Sequence, residues 1–401
     1  MVRWILSLRR SVAEGVEGTV MDFSLSDELL ELRRAVVDFG RRELTDDIVR
    51  RDREGRFSRE LWNRCAEFGI LGLPIPQKYG GGEAGLMATI VAMEGLGYAC
   101  KDNGLVFGLN AQMWSVELPV LEFGTDEQRA RYLPRLCDGS WIAAHGMTEP
   151  DAGSDAFSLS TTAERAGDHY ILNGAKTFVS EAPVADLFLV FATLNRDQGV
   201  LGVTAFLVER GTPGLRVGRE IEKMGLRTSP MGELVFEDCR VPVANRLGRE
   251  GRGALIFNQA MEYERCCILA GSVGAMERLL ETSIRYVRER HQFGKPIGSF
   301  QSVANRLVDM KVRLETARLL LYKATWSKLT GGSSTLETAM AKLYLSEAWV
   351  QSALDAVQIH GGYGFTTEFE VEREVRDALG SRLFSGTSEI QRNLIARGLG
   401  L

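Results

Sequence analysis

The stretch HGMTEPDAGSD (residues 145–155) is the most informative part of the chain, because packing alone does not explain its composition. Thr148, Ser154 and several small residues with free backbone amides offer short hydrogen-bond donors. Such donors suit a flat polar heterocycle or a phosphate that approaches the main chain. Pro150 and Gly153 keep the segment out of helix and strand interiors. TEP or AGSD alone would be explained by an ordinary loop, but joined in one run they indicate a binding segment.

Five stretches together resemble the acyl-CoA dehydrogenase family, from about Phe23 to the C-terminus. Besides residues 145–155 they are YILNGAKTFVS (residues 170–180), RERHQFGKPIGSFQ (residues 288–301), AVQIHGGYGF (residues 356–365) and FSGTSEIQR (residues 384–392). Their order matches the family's flavin-binding signature, flavin-ring strand, subunit-contact segment and two adenine-side loops. The resemblance implies FAD as the cofactor and an α+β, mainly α fold. Its parts would be an N-terminal helical domain, a middle β-barrel and a C-terminal four-helix bundle.

The composition is that of an ordinary globular protein large enough for two or three domains. Of 401 residues, 45% are hydrophobic and 25% charged, and the net charge of -5 gives no basic footprint for nucleic acid. Six cysteines without CxxC spacing and four scattered histidines do not predict a metal site. No apolar run approaches the roughly 20 residues that span a bilayer, so we expect no membrane segment and a cytoplasmic enzyme.

Periodicity and turn residues divide the chain into three predicted domains after an extension. Residues 1–20 form this extension, which we expect to be flexible; a targeting peptide is a weaker alternative because acidic residues interrupt it. Residues 21–137 are predicted to be helical, with Ser26 as an N-cap and a capping box at Thr125 and Gln128. One helix is predicted to end at Gly124, after Phe123.

Beyond the helical domain, short β-branched and aromatic runs predict the barrel over residues 138–250. The helical period then returns and predicts a bundle over residues 251–401. Its first helix is predicted to run unbroken over residues 254–292, and the second and third over residues 301–329 and 336–359.

The resemblance also assigns cofactor contacts. Met147, Thr148 and Ser154 would contact the flavin, Ser180 would reach its ring, and Phe178 would lie against the ring where the family usually has tryptophan. Contacts from across a subunit interface would come from Arg290, Phe293, Gln358, Gly361 and Gly362. Thr387 and Glu389 would lie at the adenosine end. A C-cap glycine pair and a solvated arginine are the ordinary alternatives, and only the joint order of the motifs favours binding. A homodimer or homotetramer is therefore expected.

Most members of the family carry the catalytic glutamate immediately before GTS, where this chain has Ser385. A minority carry it on the first long bundle helix in a pattern like YER, and this chain has Tyr263-Glu264-Arg265 there. Apolar and small residues share the helix face of Glu264, and burial of that kind raises the pKa of a carboxylate towards that of a useful base. The alternative is an ordinary charged helix residue. The resemblance places Ser154, Arg265, Ser385 and Gly386 at the substrate.

The reaction implied is α,β-dehydrogenation of an acyl thioester, with electron-transfer flavoprotein or oxygen as the electron acceptor. The run AKTFVSEAPVADLFLVFAT (residues 175–193) resembles the dehydrogenases that act on carrier-bound prolyl groups in natural-product pathways. A short or branched-chain acyl-CoA dehydrogenase is the competing reading, since phosphopantetheine is common to coenzyme A and carrier proteins. Because Phe178 replaces the usual tryptophan, a flavin oxidase or monooxygenase on the same scaffold stays open as a third alternative.

Overall fold

The computed structural model describes residues 23–45, 47–331 and 334–401, so the predicted extension of residues 1–20 lies outside the described residues. The N-terminal part is helical, as the periodicity predicts. Ser26 and Thr125 both act as N-caps, and Gln128 completes the predicted capping box. The helices are α1 (Asp27–Glu43), α2 (Ile48–Glu54), α3 (Arg59–Phe68), α4 (Leu86–Ala99), α5 (Asn103–Gln112), α6 (Leu118–Phe123) and α7 (Asp126–Cys137).

A π-helical segment, Met113–Glu117, joins α5 to α6, where the sequence predicts one continuous helix. Pro119 follows four residues after Ser115, and in an α-helix its ring would clash with the Ser115 carbonyl. The helix widens there, and the Leu118 N–H donates to the Met113 carbonyl, five residues back. All five residues of the π segment are buried, so the widened turn lies inside the molecule.

The middle part is an eight-stranded sheet in the order β6-β7-β3-β2-β4-β5-β8, with β1 parallel to β4. Its strands are β1 (Ala143–Gly146), β2 (Thr162–Ala166), β3 (His169–Ser180), β4 (Leu187–Thr193), β5 (Val203–Glu209), β6 (Leu215–Glu220), β7 (Met231–Pro242) and β8 (Arg246–Leu247).

The predicted barrel is not confirmed, because this sheet does not close. Its two outer strands, β6 and β8, do not pair with each other within the described part of the chain. Both are poor closing strands: β8 has two residues, and β6 loses register with β7 between Val217 and Glu220. A continuous ladder between these edges would need longer and more regular strands.

The C-terminal part is a helical bundle. Its elements are α8 (Gly253–Cys267), α9 (Ala270–Glu289), a small hairpin of β9 (His291–Gln292) and β10 (Lys295–Pro296), α10 (Gln301–Leu329), α11 (Thr335–His360), α12 (Val371–Gly380) and α13 (Ser388–Gly398). The predicted single helix over residues 254–292 is wrong. It breaks at Ile268 and Leu269, where the Ser272 N–H bonds the Leu269 carbonyl in a tight turn, and α9 ends at Glu289.

Helices α9 and α4 cross where glycine residues allow their backbones to touch. A Cβ added at Gly97 would lie 1.9 Å from the Gly271 carbonyl oxygen, and one added at Gly274 would lie 2.0 Å from the Glu94 carbonyl oxygen. Arg278 also contributes to the crossing by donating to the carbonyls of Gly97 and Cys100. The break between α8 and α9 therefore lies where the bundle is fixed to the N-terminal helices.

Among the helices of the described residues, none combines the length and the hydrophobicity of a membrane-spanning segment.

Candidate functional site

A buried ion pair anchors the segment of residues 145–155 to strand β3. The Lys176 Nζ lies 2.7 Å from the Glu149 Oε1 and donates to the Met147 carbonyl at 3.2 Å. Glu149 also accepts from the Thr161 N–H at 3.0 Å, and the Thr177 N–H donates to the Thr148 carbonyl at 2.9 Å. Burial lowers the pKa of Lys176 to about 8, against the opposing effect of Glu149. The loop is thus held in one shape by strand β3.

The outer side of the same segment is open. Ser154 is exposed and Thr148 half-buried, whereas Met147 is buried. A Cβ added at Gly153 would meet nothing within 4 Å, so the segment borders open space there. This open row of donors fits the polar edge of a flavin, which is the cofactor that the sequence resemblance implies.

Phe178 stands beside this segment in a strained and exposed conformation. Its φ is +54°, and its side chain is 61% exposed, at a break in the β3–β7 register between Lys176 and Val179. Positive φ is unfavourable for a bulky residue and persists only where the surroundings enforce it. The bulge turns an aromatic face outward next to the open donors, and Ser180 follows at the end of β3. An exposed ring at that point fits stacking against a flat ligand.

The residues predicted to cross a subunit interface form an exposed surface of their own. The Arg290 guanidinium lies 5.7 Å from the centre of the Tyr363 ring, which joins the loop after α9 to the Gly361–Phe365 turn. Phe293 has a φ of +53° and is 92% exposed, and Gln358 is also exposed. No hydrogen bond, ion pair or ring contact joins this surface to residues 145–155 within the described part of the chain.

The backbone conformation explains the glycine at residue 361 but not the glycine at residue 362. Gly361 has a φ of +59°, which favours glycine at the end of α11. Gly362 has no positive φ, and a Cβ added there would meet nothing within 4 Å. Nothing within the described chain therefore requires glycine at residue 362, which fits a close approach from outside the chain. Thr387 caps α13 by accepting from the Ile390 N–H, and Glu389 is exposed beside Arg392.

Glu264 is buried on α8, in the C-terminal helical bundle. Only 7% of the residue is exposed, and its carboxylate accepts hydrogen bonds from two hydroxyl groups. Ser115, in the π-helical segment, donates to Oε1, and Ser385 donates to Oε2 at 2.5 Å. Burial raises the pKa of Glu264, although both serines and Arg265 oppose the rise. The arrangement is that of a carboxylate prepared to take a proton.

Ser385 and Gly386 are held in left-handed backbone conformations, with φ of +55° and +86°. Lys342 donates to the Gly386 carbonyl at 2.7 Å, and the Gln391 amide donates to the carbonyls of Ser385 and Gly386 at 3.1 and 2.9 Å. Burial, helped by Arg265, lowers the pKa of Lys342 to about 8. This support fixes the position from which the Ser385 hydroxyl meets Glu264.

Arg265 is buried next to Glu264, and its Nε has no hydrogen-bond partner among the described residues. Burial lowers the pKa of Arg265, while Glu264 and Glu262 oppose that change. Glu262 has a different environment, 3.2 Å from the Lys328 Nζ and 2.6 Å from the Thr335 hydroxyl. The structure thus brings Ser385 to Glu264, with Arg265 beside it, whereas the Glu262 carboxylate is bonded to Lys328 and Thr335.

Three contributors to this site were missed by sequence reasoning: Ser115, Lys342 and Gln391. Pro119, inside a predicted helix, was a signal that the helix would be distorted near Ser115. Nothing in the sequence marked Lys342, since a lysine on a helix is usually solvated. Among the described residues, no three His, Cys, Asp or Glu side chains are grouped as metal ligands, and the cysteines are free and buried.

Comparisons with known proteins agree with this geometry. Sequence models of the acyl-CoA dehydrogenase N-terminal, middle and C-terminal domains match residues 26–140, 144–239 and 251–400. The L-prolyl-[peptidyl-carrier protein] dehydrogenase of Serratia sp. (strain ATCC 39006) is 44% identical, over 95% of this chain and 99% of that protein.

Solved structures show the same likeness. The prolyl acyl carrier protein oxidase AnaB is 53% identical, with a TM-score of 0.93 over 94% of this chain and 100% of that one. PigA with FAD and proline is 43% identical, with a TM-score of 0.93 over 95% and 100%. On the domain matches, the identities and the shared architecture, this chain belongs to the acyl-CoA dehydrogenase family.

Proposed function

We propose that this protein is an FAD-dependent dehydrogenase that converts a carrier-protein-bound acyl or aminoacyl thioester, prolyl-like in character, to its α,β-unsaturated form. The observation that carries the proposal is the buried carboxylate of Glu264, held by two hydroxyls beside the loop of Ser385 and Gly386. The likeness to prolyl-carrier-protein enzymes supports the choice of substrate.

The cofactor would be held by two groups of residues. Met147, Thr148, Ser154, Phe178 and Ser180 would surround the flavin on one subunit. A second copy of the chain would supply Arg290, Phe293, Gln358, Gly361 and Gly362, and Thr387 and Glu389 would lie towards the adenosine. Bound FAD would supply the acceptor for the hydride that leaves the β carbon of the substrate.

The remaining chemistry belongs to side chains and backbone of this chain. Glu264 would take the α proton onto one of its carboxylate oxygens, so the substrate loses one proton there and one hydride to the cofactor. The backbone amide at Ser385 would polarise the thioester carbonyl and so stabilise the charge that develops on its oxygen. Arg265, beside the base, would help to hold the substrate, with Ser154 and Gly386 lining the same site. Burial of Glu264 excludes water from the proton transfer.

The proposal also includes the limits of the domains and the assembly of the protein. The domains would span residues 21–137, 138–250 and 251–401, and the protein would be a homodimer or homotetramer. Exposed apolar side chains on α10 support assembly, because Val308, Val312, Leu319 and Trp326 recur at helical spacing along an otherwise charged face. Electron-transfer flavoprotein or oxygen would reoxidise the cofactor.

The substrate assignment is tested by comparing one acyl group on two carriers. We expect kcat/KM for a prolyl group on its cognate carrier protein to exceed that for prolyl-coenzyme A by at least about tenfold, since a carrier protein adds surface contacts to those of its arm. Mass spectrometry of the product would confirm loss of two hydrogens per oxidation. Equal kcat/KM for the two thioesters would favour the acyl-CoA reading instead.

A further inference from the structure

The carboxylate of Glu264 is held from two sides by parts of the chain that are far apart in sequence. Ser115 comes from the N-terminal helices and donates to Oε1, while Ser385 comes from the loop before α13 and donates to Oε2. Each carboxylate oxygen has two lone-pair sites, so one hydroxyl on each oxygen still leaves a site for an incoming proton.

The two hydroxyls differ in how firmly they are placed. Ser385 has positive φ in a loop whose backbone, in the proposed function, contacts the thioester, so its surroundings change when substrate enters. Ser115 is 2% exposed and belongs to the π-helical segment, where all neighbours in the segment are buried. π-bulges inside helices occur frequently at functional sites. The anchor that does not change with substrate is therefore Ser115.

The electrostatic surroundings of Glu264 explain why its carboxylate needs hydroxyl donors. Burial disfavours its charged form, and the charged side chain that acts on it is Arg265, on the same helix. Glu262 acts in turn on Arg265, and Arg265 helps to lower the pKa of Lys342. Glu117, also in the π segment, has a pKa raised to about 8 by burial. Without hydroxyl donors, Arg265 alone would oppose the cost of burying the carboxylate.

We propose that Ser115 is a positioning residue, whose hydroxyl fixes the Glu264 carboxylate in the orientation needed to take the α proton and favours its ionised form. The catalytic part of this statement rests on the proposed function, in which Glu264 is the base. Ser115 touches neither substrate nor cofactor in this proposal; it acts through Glu264.

The test compares Ser115→Ala with Ser115→Thr in the FAD-loaded protein. Rapid mixing with saturating substrate under anaerobic conditions gives the rate of flavin reduction across pH. Because loss of a donor to the carboxylate disfavours ionisation, the acid limb of the Ser115→Ala profile should move to higher pH. The rate on that limb should fall about tenfold. Above the limb it should approach the wild-type rate within a few-fold, and Ser115→Thr, which keeps a hydroxyl, should restore the profile.

Two controls separate this effect from general damage. Ser283→Ala removes a fully buried hydroxyl from α9 that has no hydrogen-bond partner among the described residues, and it should leave the pH profile unchanged. Glu117→Gln removes the neighbouring acid, and the acid limb should persist in it. An unmoved limb in Ser115→Ala, an equal movement in Ser283→Ala, or loss of the limb in Glu117→Gln would each overturn the proposal.

A second readout does not depend on catalysis. The infrared band of the protonated Glu264 carboxyl, identified by its absence from Glu264→Gln, is titrated in wild type and in Ser115→Ala without substrate. The midpoint should rise in Ser115→Ala, and an unchanged midpoint counts against Ser115. If the midpoint rises but Glu264→Gln still reduces its flavin at the wild-type rate, the proposed base fails while the contact of Ser115 with Glu264 stands. Should Ser115→Ala not fold, Ser115→Cys, a weak donor of similar size, replaces it in both measurements.

Discussion

The region of the proposed base and the region of the proposed shared cofactor contacts are built in opposite ways. Around Glu264, the buried carboxylate has hydroxyl partners from within the same chain, and the adjoining loop has its carbonyls bonded to Lys342 and Gln391. Around Arg290 and Phe293, side chains proposed to bind cofactor point into solvent, and Gly362 has no neighbour within the described chain that explains it. The first region is enclosed within a single chain, and the second is exposed on its surface.

The contrast separates two requirements of the proposed enzyme. Proton removal needs a carboxylate held in place and away from water, which one folded chain provides. Cofactor binding needs a large surface to be enclosed, and two copies can enclose it together. We therefore expect changes near Glu264 to affect the rate without loss of cofactor, and changes near Arg290 to affect cofactor and assembly together.

The largest effect is expected for Glu264→Gln, which keeps the shape of the side chain and removes its basicity. Flavin reduction by saturating substrate should slow by about 10² to 10⁴, as is typical for loss of a general base, with FAD content unchanged. Stopped-flow absorbance of the oxidised flavin measures the rate.

Matched variants define that effect. Glu262→Gln, two residues away and paired with Lys328, should stay within a few-fold of wild type. Ser385→Ala, which removes one of the two donors to Glu264, should lower the rate by no more than about tenfold. A near wild-type rate for Glu264→Gln would show that the base lies elsewhere.

The next effect concerns the support beneath residues 145–155. Lys176→Met would leave Glu149 buried without its cation, and breaking one side of a buried ion pair costs about 3–5 kcal/mol in the free energy of unfolding. Urea denaturation measures the loss. Arg219→Met, which breaks a surface ion pair with Glu233, serves as the control and should cost less than about 1 kcal/mol. Equal midpoints for the two variants would mean that the buried pair does not anchor the segment.

The smallest change in the free energy of unfolding is expected for Arg290→Ala. This variant is nevertheless the sharpest test of whether two copies of the chain share the cofactor. Arg290 is exposed within one chain, so its loss should leave the stability of the single chain nearly unchanged. FAD occupancy and the oligomeric mass should fall together, as measured by the flavin-to-protein absorbance ratio and by light scattering. Arg288→Ala, also exposed and two residues away, provides the matched control. Full flavin content in an intact oligomer of Arg290→Ala would contradict a cofactor shared between copies.

The order of the motifs predicted the family and the helical, sheet and helical parts of the chain, because such motifs occupy fixed places in a known architecture. Local signals predicted the caps at Ser26 and Thr125, since capping depends on residues three positions apart. Burial of Glu264 also followed from its helical neighbours. Its role as the base stays a prediction.

What the sequence did not predict depends on contacts between distant segments. The open sheet results from the short β8 and the irregular β6. Alternation of polar and apolar residues along a strand does not show whether the two edge strands of the sheet pair with each other. The break at Ile268 and Leu269 contains no proline or glycine itself, and the nearest glycine, Gly271, lies inside α9. Ser115 and Ser385 are 270 residues apart in the chain and meet only at the carboxylate of a third segment, so no periodicity could join them.

The crossing of α4 and α9 has a consequence for how this enzyme could diverge. Where helices touch through side chains, their spacing can change in small steps as residues grow or shrink. Here Gly97 and Gly274 bring backbone against backbone, so a methyl group added at either is already too large, and the spacing has no nearby alternative. In any newly sequenced relative, a larger residue at position 97 or 274 would therefore signal a re-spaced helix pair, even with every cofactor motif intact.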